Sequence, residues 1–310
     1  MRLHFLLFTL LSTCFFISCR KSDEPDKAPS PSLVQMEAEG GEETIALGST
    51  GWRIAAVVNK RGNQRIFGDI YKSDGQLVME NTLLELEGTG YLEGTTPGIG
   101  FRIVHEGDQL RVTLLENGMP ETYSFVIVLK RENETKEILV EQQVLQGYTF
   151  KSMEYAAGAG DGDSVFVRTG TRYEFNLLAP QQVAVNPFGG IDVVRTAWFE
   201  SKEHGAFFGI GGDSVKVPIP VAVNDGKVSY SDPKDIYGAF TREAYHPGVT
   251  ASVSVPAGKA LFFTELEWRR RRLTYTLTLT NKRTGALKVI TGKWLEESPT
   301  GKYSILRTPM

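Results

Sequence analysis

The stretch Leu-Thr-Tyr-Thr-Leu-Thr-Leu-Thr at residues 273–280 is the clearest structural signal in the chain. Leucine or tyrosine occupies every odd position and threonine every even position. Because side chains alternate between the two faces of a β-strand, this period of two predicts a strand with one apolar and one hydroxyl-bearing face. Residues 273–280 are therefore predicted to form a half-buried strand of an antiparallel sheet.

Alternation of the same kind extends outward from this stretch through the rest of the chain. It covers residues 33–39 and returns at Trp52, Ile54 and Ala56. Asn117-Gly118 separates two further alternating runs and predicts a hairpin turn between them. Helical periodicity is missing from every long stretch. The chain is therefore predicted to be all-β, with two β-sandwich domains over residues 33–146 and 147–310.

Strands in the second domain are predicted from alternation bounded by glycine-rich and asparagine-rich turns. They are residues 164–167, 173–177, 183–185, 193–199, 215–217, 251–255, 261–268, 273–280 and 286–290.

Length and charge limit the classes of protein that this chain can belong to. Its 310 residues carry a formal charge of −3, which is too neutral for a dedicated nucleic-acid binder. Residues 33–146 hold ten Lys and Arg against eighteen Asp and Glu, a charge of −8. Residues 147–310 hold twenty against sixteen, a charge of +4. Opposite charges of this kind favour contact between the two domains.

The N-terminus carries an export signal. Arg2 precedes an apolar run that is shorter than the about 20 residues of a membrane-spanning helix, so it is predicted to be a secretory signal. Phe16-Ile17-Ser18-Cys19 resembles the lipobox of bacterial lipoproteins. The resemblance implies that residues 1–19 are a lipoprotein signal peptide and that Cys19 carries the lipid. An ordinary cleaved signal with an incidental thiol at Cys19 is the alternative.

The segment behind Cys19 is predicted to be a flexible tether. Residues 20–32 are rich in proline and charge and nearly free of apolar side chains. Asp23-Glu24-Asp26 resembles the surface-export signal of Bacteroidota lipoproteins. This implies an outer-membrane protein exposed at the cell surface, with the periplasmic face as the alternative. The 2 cysteines are Cys14 and Cys19, so the remaining chain has no disulfide, thiolate metal ligand or cysteine nucleophile.

The first domain resembles a known family of Bacteroidota surface modules. Gly40-Gly41, Ser49-x-x-Trp52-x-Ile54, Asn117-Gly118 and Ile138-x-Val140-x-Gln142 are similar to a BACON domain. The resemblance covers residues 33–146 and implies an immunoglobulin-like β-sandwich. It also implies either a carbohydrate-binding role or a role as a spacer. Trp52 is expected in the core of this sandwich.

No catalytic centre, metal site or cofactor is predicted. The nucleophile motif Gly-x-Ser-x-Gly is absent from the sequence. His105, His204 and His246 lack the spacing of metal ligands on a helix. Glu265 and Glu267 fall on one face of a predicted strand, where a solvated surface is the expected environment.

Arg269-Arg270-Arg271-Arg272 interrupts the alternation. Apolar residues lie at even positions before this run and at odd positions after it, which predicts a turn or bulge. We expect an exposed loop or a protected sheet edge. The alternative is a cationic site for sulfated glycans, lipopolysaccharide phosphate or nucleic acid.

Aromatic residues cluster in residues 229–247, which are predicted to form a long irregular loop. Aromatic faces stack on sugar rings, while polar side chains bind the hydroxyls. The candidate ligand-binding residues are Tyr230, Tyr237, Tyr245, His246 and Arg242. The alternative is that the aromatic side chains fix the loop to the core.

These observations predict a non-enzymatic, lipid-anchored cell-envelope protein that binds a glycan or mediates adhesion. Its expected partners are outer-membrane lipid, through the anchor, and a polysaccharide, mucin or surface-protein ligand, but no nucleic acid. A fimbrillin-like pilus or structural subunit, which the architecture also resembles, is the first alternative, and a glycan-active hydrolase is the second.

Overall fold

The computed structural model describes residues 32–59, 63–96, 98–210, 215–224, 227–232 and 235–308. Within these ranges the chain is all-β, as predicted, and none of them contains a helix that could cross a membrane. The predicted signal peptide, Cys19 and all of the predicted tether except Ser32 lie outside the described residues.

The strands of the first half are β1 to β11. They are β1 Leu33–Met36, β2 Gly41–Ala46, β3 Arg53–Asn59, β4 Gln64–Arg65, β5 Phe67–Tyr71, β6 Leu77–Leu83, β7 Gly90–Thr96, β8 Ile99–Glu106, β9 Gln109–Leu114, β10 Tyr123–Arg131 and β11 Glu134–Gln142.

These strands form two sheets around one apolar core. The first sheet has the order β1-β11-β10-β3-β4 and the second β2-β9-β8-β7-β5-β6. Ile127 and Val140 of the first sheet and Ile103 and Val112 of the second belong to one buried cluster. Trp52 lies in that cluster, as expected, with the guanidinium of Arg131 4.9 Å from its ring. The half is thus a β-sandwich, and its immunoglobulin-like topology stays a prediction.

Asn117-Gly118 does not form the predicted hairpin. β9 lies in one sheet and β10 in the other, so the segment between them crosses the sandwich. The buried amide of Asn117 donates to the carbonyl of Gln143 at 2.9 Å, which fixes this crossing to the end of the domain. Alternation in sequence shows which residues form strands, but not which sheet each strand joins.

The strands of the second half are β12 to β23. They are β12 Tyr148–Ala156, β13 Gly162–Leu177, β14 Gln181–Val185, β15 Val194–Glu200, β16 Lys216–Val217, β17 Pro220–Asn224, β18 Lys227–Tyr230, β19 Asp235–Ile236, β20 Thr241–Ala244, β21 Ala251–Val255, β22 Gly258–Asn281 and β23 Leu287–Thr308.

A long hairpin organises this half. β22 and β23 pair with each other, β15 pairs with β23, and β20 pairs with β15. The other edge of β22 is shared, because β13 pairs with residues 258–272 and β12 with residues 274–281. The two-stranded sheets β14–β21, β16–β19 and β17–β18 complete the half.

The long sheet buries opposite faces at its two ends. Odd-numbered residues of β22 such as Leu273 and Tyr275 pack in a cluster with Trp294. Even-numbered residues such as Leu266 and Trp268 pack in other clusters on the opposite face. The change from even to odd that the sequence shows is therefore a change of buried face within one strand. The two predicted strands 261–268 and 273–280 are parts of β22. Residues 269–272 pair with β13 on one side and β23 on the other, so the turn, bulge, exposed loop or protected edge predicted there is wrong.

A band of ion pairs crosses the sheet where the buried face changes. Arg271, 2% exposed, donates to both carboxylate oxygens of Asp163 at 2.7 and 2.8 Å. Glu296, 4% exposed, accepts from Arg195 at 2.6 Å and from Arg269 at 2.9 Å. Because charged side chains tolerate burial only when paired, this band lets the sheet continue between its cores.

The opposite face of the sheet holds a third carboxylate of this band, Glu297. Glu297 accepts hydrogen bonds from Arg270 at 2.8 Å and from Arg168 at 2.6 Å. Burial alone would raise the pKa of Glu297, but these two guanidinium groups hold it below its ordinary value.

Candidate ligand-binding groove on the long sheet

The five predicted ligand-binding residues do not form one surface. Tyr237 is 2% exposed, and its hydroxyl lies 2.8 Å from that of Tyr275. Its ring packs against Phe199 and Phe207. Tyr237 is therefore a core residue, which corrects the prediction that it presents a ring to a ligand.

The other four predicted residues are dispersed. Tyr230 is exposed and lies 5.9 Å from the ring of Tyr155. Tyr245 packs edge-on against Phe188, in a cluster on the opposite face of the long sheet. His246 is exposed. Residues 229–247 do not form one long loop, because β19 and β20 divide them and dock on different parts of the domain.

Arg242 lies on β20, where it forms an ion pair with Asp192. Pairing of β20 with β15 brings the nearby Phe240 to Trp198, with ring centroids 6.1 Å apart and planes at 30°. Phe240 is 63% exposed and Trp198 is half-buried. Most of the Phe240 ring is therefore left uncovered by the described part of the chain, so the pair is a candidate contact surface.

The strand register extends this surface across the sheet. Trp198 of β15 and Arg272 of β22 both pair with Leu295 of β23. Directly paired residues point to the same face, so the three side chains form one row. With strands about 4.8 Å apart, the row is about 10 Å long between its outer residues.

A groove opens beside this row, which we call the sheet groove. Its volume is about 610 Å³. The residues that line it are Glu200, Ser201, Lys202, Glu203, Arg272, Thr274, Thr291, Gly292 and Lys293. Trp198 is adjacent to this lining, because its indole N–H donates to Glu200 at 2.8 Å.

The base of the groove is fixed by Asp161. Its carboxylate is inaccessible to solvent and accepts from the Lys293 ammonium at 2.7 Å and from the Thr274 hydroxyl at 2.6 Å. Burial alone would raise the pKa of Asp161, but these hydrogen bonds hold it below its ordinary value. The ionised carboxylate therefore locks Lys293 and Thr274 in place.

Arg272 differs from the other three arginines of its run. Arg269, Arg270 and Arg271 all donate to carboxylates of neighbouring strands. The half-exposed guanidinium of Arg272 approaches only Asp161, at 3.7 Å, and makes no hydrogen bond with a described residue. Of the four arginines considered as a cationic site, only Arg272 therefore keeps its guanidinium free of hydrogen bonds to described residues.

Neither Trp198 nor Phe240 is among the predicted ligand-binding residues, although Phe240 lies in the predicted aromatic loop of residues 229–247. Trp198 lies inside a predicted strand, and its contact with Phe240 follows from the pairing of β15 with β20, which the sequence predicts as part of a loop. The alternation of Trp198 and Glu200 is the only signal that places both on one face. In the described ranges no three His, Cys, Asp or Glu side chains are placed to hold a metal ion.

No protein-family model and no curated protein matches the chain. Among solved structures, a lamprey immune protein is 14% identical with a TM-score of 0.34, covering 87% of this chain and 98% of its own. A protein from Bacteroides thetaiotaomicron is 19% identical with a TM-score of 0.23, over 36% and 75%. The parasporin-2 toxin of Bacillus thuringiensis, which recognises cancer cells, is 11% identical with a TM-score of 0.28, over 61% and 75%. These TM-scores are low, so the similarity supports no statement about function.

Proposed function

We propose that the protein is a non-enzymatic, lipid-anchored cell-envelope protein that binds glycans in the sheet groove. The observation that carries this proposal is the row of Trp198, Leu295 and Arg272 beside the groove. Aromatic rings offer a face to the apolar side of a sugar, and polar groups around them bind the hydroxyls. The row and groove combine these two elements on a rigid sheet.

The anchor in this proposal is Cys19, joined to outer-membrane lipid and displayed at the cell surface. More than one acyl chain makes such an anchor durable, because each buried methylene contributes about 0.8 kcal/mol. The BACON-like first domain then acts as a spacer that carries the sheet groove away from the membrane. Metabolic labelling with a palmitate analogue tests this part, since Cys19→Ala should abolish the label.

Glycan-array binding of the full-length protein in detergent tests the proposed site. We expect binding to at least one polysaccharide or mucin glycan, weakened about tenfold or more by Trp198→Ala or Phe240→Ala. Phe67→Ala is the matched control, because Phe67 is 59% exposed but lies on β5 in the first domain. Absence of binding, or equal losses in all three variants, contradicts the proposal.

A second candidate, a fimbrillin-like structural subunit, is favoured by the open edge of β13. Along Gly162–Leu177 this strand pairs with β22 and with no other strand in the described part of the chain. Val165 and Val167 are exposed on it. A long unpaired edge is a template for pairing with another chain. Sedimentation should then show oligomers that Val165→Lys dissociates, whereas a monomer at every concentration contradicts this candidate.

A further inference from the structure

The polar side chains of the sheet groove differ in how many hydrogen bonds they make with the rest of the protein. Glu203 accepts from the amide of Thr291 at 2.9 Å and from its hydroxyl at 2.6 Å. Glu200 accepts the indole N–H of Trp198. Each of these carboxylates is therefore engaged by the protein through its Oε1 oxygen.

Two cationic side chains of the groove, in contrast, carry N–H donors that the fold does not use. Arg272 makes no hydrogen bond with a described residue, although its guanidinium carries five N–H groups. Lys202 is exposed, and no carboxylate in the ranges that the structure describes lies within ion-pair distance of its ammonium. Arg272 and Lys202 are thus two cationic side chains of the groove whose donors remain available to a ligand.

The cations of the groove differ in whether a carboxylate neutralises them. Lys293 is paired with Asp161, which leaves Lys202 and Arg272 as the available cations of the lining. The domain that holds it carries a charge of +4 in sequence. A guanidinium binds a planar carboxylate or a sulfate through parallel hydrogen bonds, which are stronger than neutral ones.

We infer that the ligand of the sheet groove is an acidic polysaccharide, whose carboxylate or sulfate group binds Arg272 while a sugar ring stacks on Trp198. This inference rests on the proposed glycan binding and adds the chemical class of the glycan. Lys202 supplies a second contact to the same acidic chain. Lys293 does not bind the ligand directly, because Asp161 and Thr274 occupy its ammonium.

Binding of the full-length protein in detergent to three defined polymers tests the inference. Polygalacturonate carries carboxylates, dextran sulfate carries sulfates, and dextran carries neither. We expect at least one acidic polymer to bind tenfold or more tightly than dextran. Arg272→Gln should weaken that binding about tenfold and Lys202→Gln less, whereas Arg272→Lys should retain part of it.

Arg307→Gln is the matched control for loss of one positive charge. Arg307 is an exposed arginine near the end of β23, far along the sheet from the groove, so its removal should leave binding unchanged. Thermal unfolding of each variant shows whether it folds. Equal weakening by Arg307→Gln, or equal binding of polyglutamate, overturns the inference, because the surface then recognises charge alone.

The two levels of the proposal fail in different ways. If none of the three polymers binds and Trp198→Ala leaves glycan-array binding unchanged, glycan binding in the sheet groove is itself wrong. If dextran binds as tightly as the acidic polymers, while Trp198→Ala abolishes binding and Arg272→Gln does not, the groove binds neutral glycans. In that case the inference alone is overturned.

Discussion

Asp161 is a single carboxylate that joins three parts of the second domain. It accepts from the amide of Gly158 in the turn before β13, from Thr274 in β22 and from Lys293 in β23. The dipeptide Asp161-Gly162 is typical of a turn, and a turn is present here. Its partner Lys293 lies 132 residues away, however, so the role of the carboxylate could not be predicted from local sequence.

Replacing Asp161 by asparagine should lower the free energy of unfolding by about 2–3 kcal/mol, because it leaves the Lys293 ammonium without its counter-charge. Chemical denaturation measures this change. Asp74→Asn is the control, since Asp74 accepts a local turn hydrogen bond from Gln76 at an exposed position, and we expect less than about 1 kcal/mol there. Equal effects at the two sites would contradict a structural role for Asp161.

Acid should destabilise the protein partly through the same residue. The pKa of Asp161 is lowered in the folded state, so its contribution is complete above the ordinary aspartate pKa of about 4. It is lost as the pH falls through the lower pKa of the folded state, and Glu297 acts with the same sign. Melting temperatures measured from about pH 6 to about pH 3 should fall less steeply for Asp161→Asn than for the unmodified protein. Identical slopes would show that other carboxylates control the acid transition.

At the scale of the element, β22 shows why a strand can be predicted and its environment cannot. The alternation at residues 273–280 predicts the buried face correctly, since Leu273, Tyr275, Leu277 and Leu279 are inaccessible. The change of apolar parity across the four arginines predicts a turn or bulge in an exposed loop or at a protected edge. Carboxylates from β13 and β23 instead pair with Arg269, Arg270 and Arg271 within the sheet. Those partners become neighbours only through the sheet order, which a single sequence does not contain.

Glu296 is the residue on which this band depends most. Glu296→Gln should destabilise the protein by about 3 kcal/mol, because Arg271 and Arg195 then lie beside an uncharged amide. Glu243→Gln is the matched control, since Glu243 also pairs with Arg195 but is exposed, and we expect less than about 1 kcal/mol. Urea unfolding distinguishes the two values, and comparable losses would show that burial of the pair contributes nothing.

At the scale of the whole molecule, the two domains meet through the charges that the sequence assigns to them. Glu39 of the first domain contacts Arg283 of the second at 3.1 Å and accepts from the amide of Asn281 at 2.8 Å. Burial alone would raise the pKa of Glu39, but Arg283 and Asn281 hold it below its ordinary value. The charge difference favours a contact, yet it does not identify which of the many charged residues form it.

Close packing accompanies these charges. Gly118 lies against Phe208 of the second domain, so that a Cβ atom at Gly118 would be 2.5 Å from the aromatic ring. The sequence indicated a turn glycine, whereas the structure uses this glycine for the approach of the two domains. Tyr148 of the second domain also donates to Glu116 of the first domain at 2.7 Å.

Exchanging the charges at this contact tests whether it couples the domains. Glu39→Arg or Arg283→Glu alone should lower the melting temperature by about 2–4 °C, because each places like charges together. The double exchange should recover most of the loss, as measured by calorimetry in low salt. At about 1 M salt, where the screening length falls to about 3 Å, the single variants should approach the unmodified protein. A double variant whose loss equals the sum of the two single losses would show that the contact does not couple the domains.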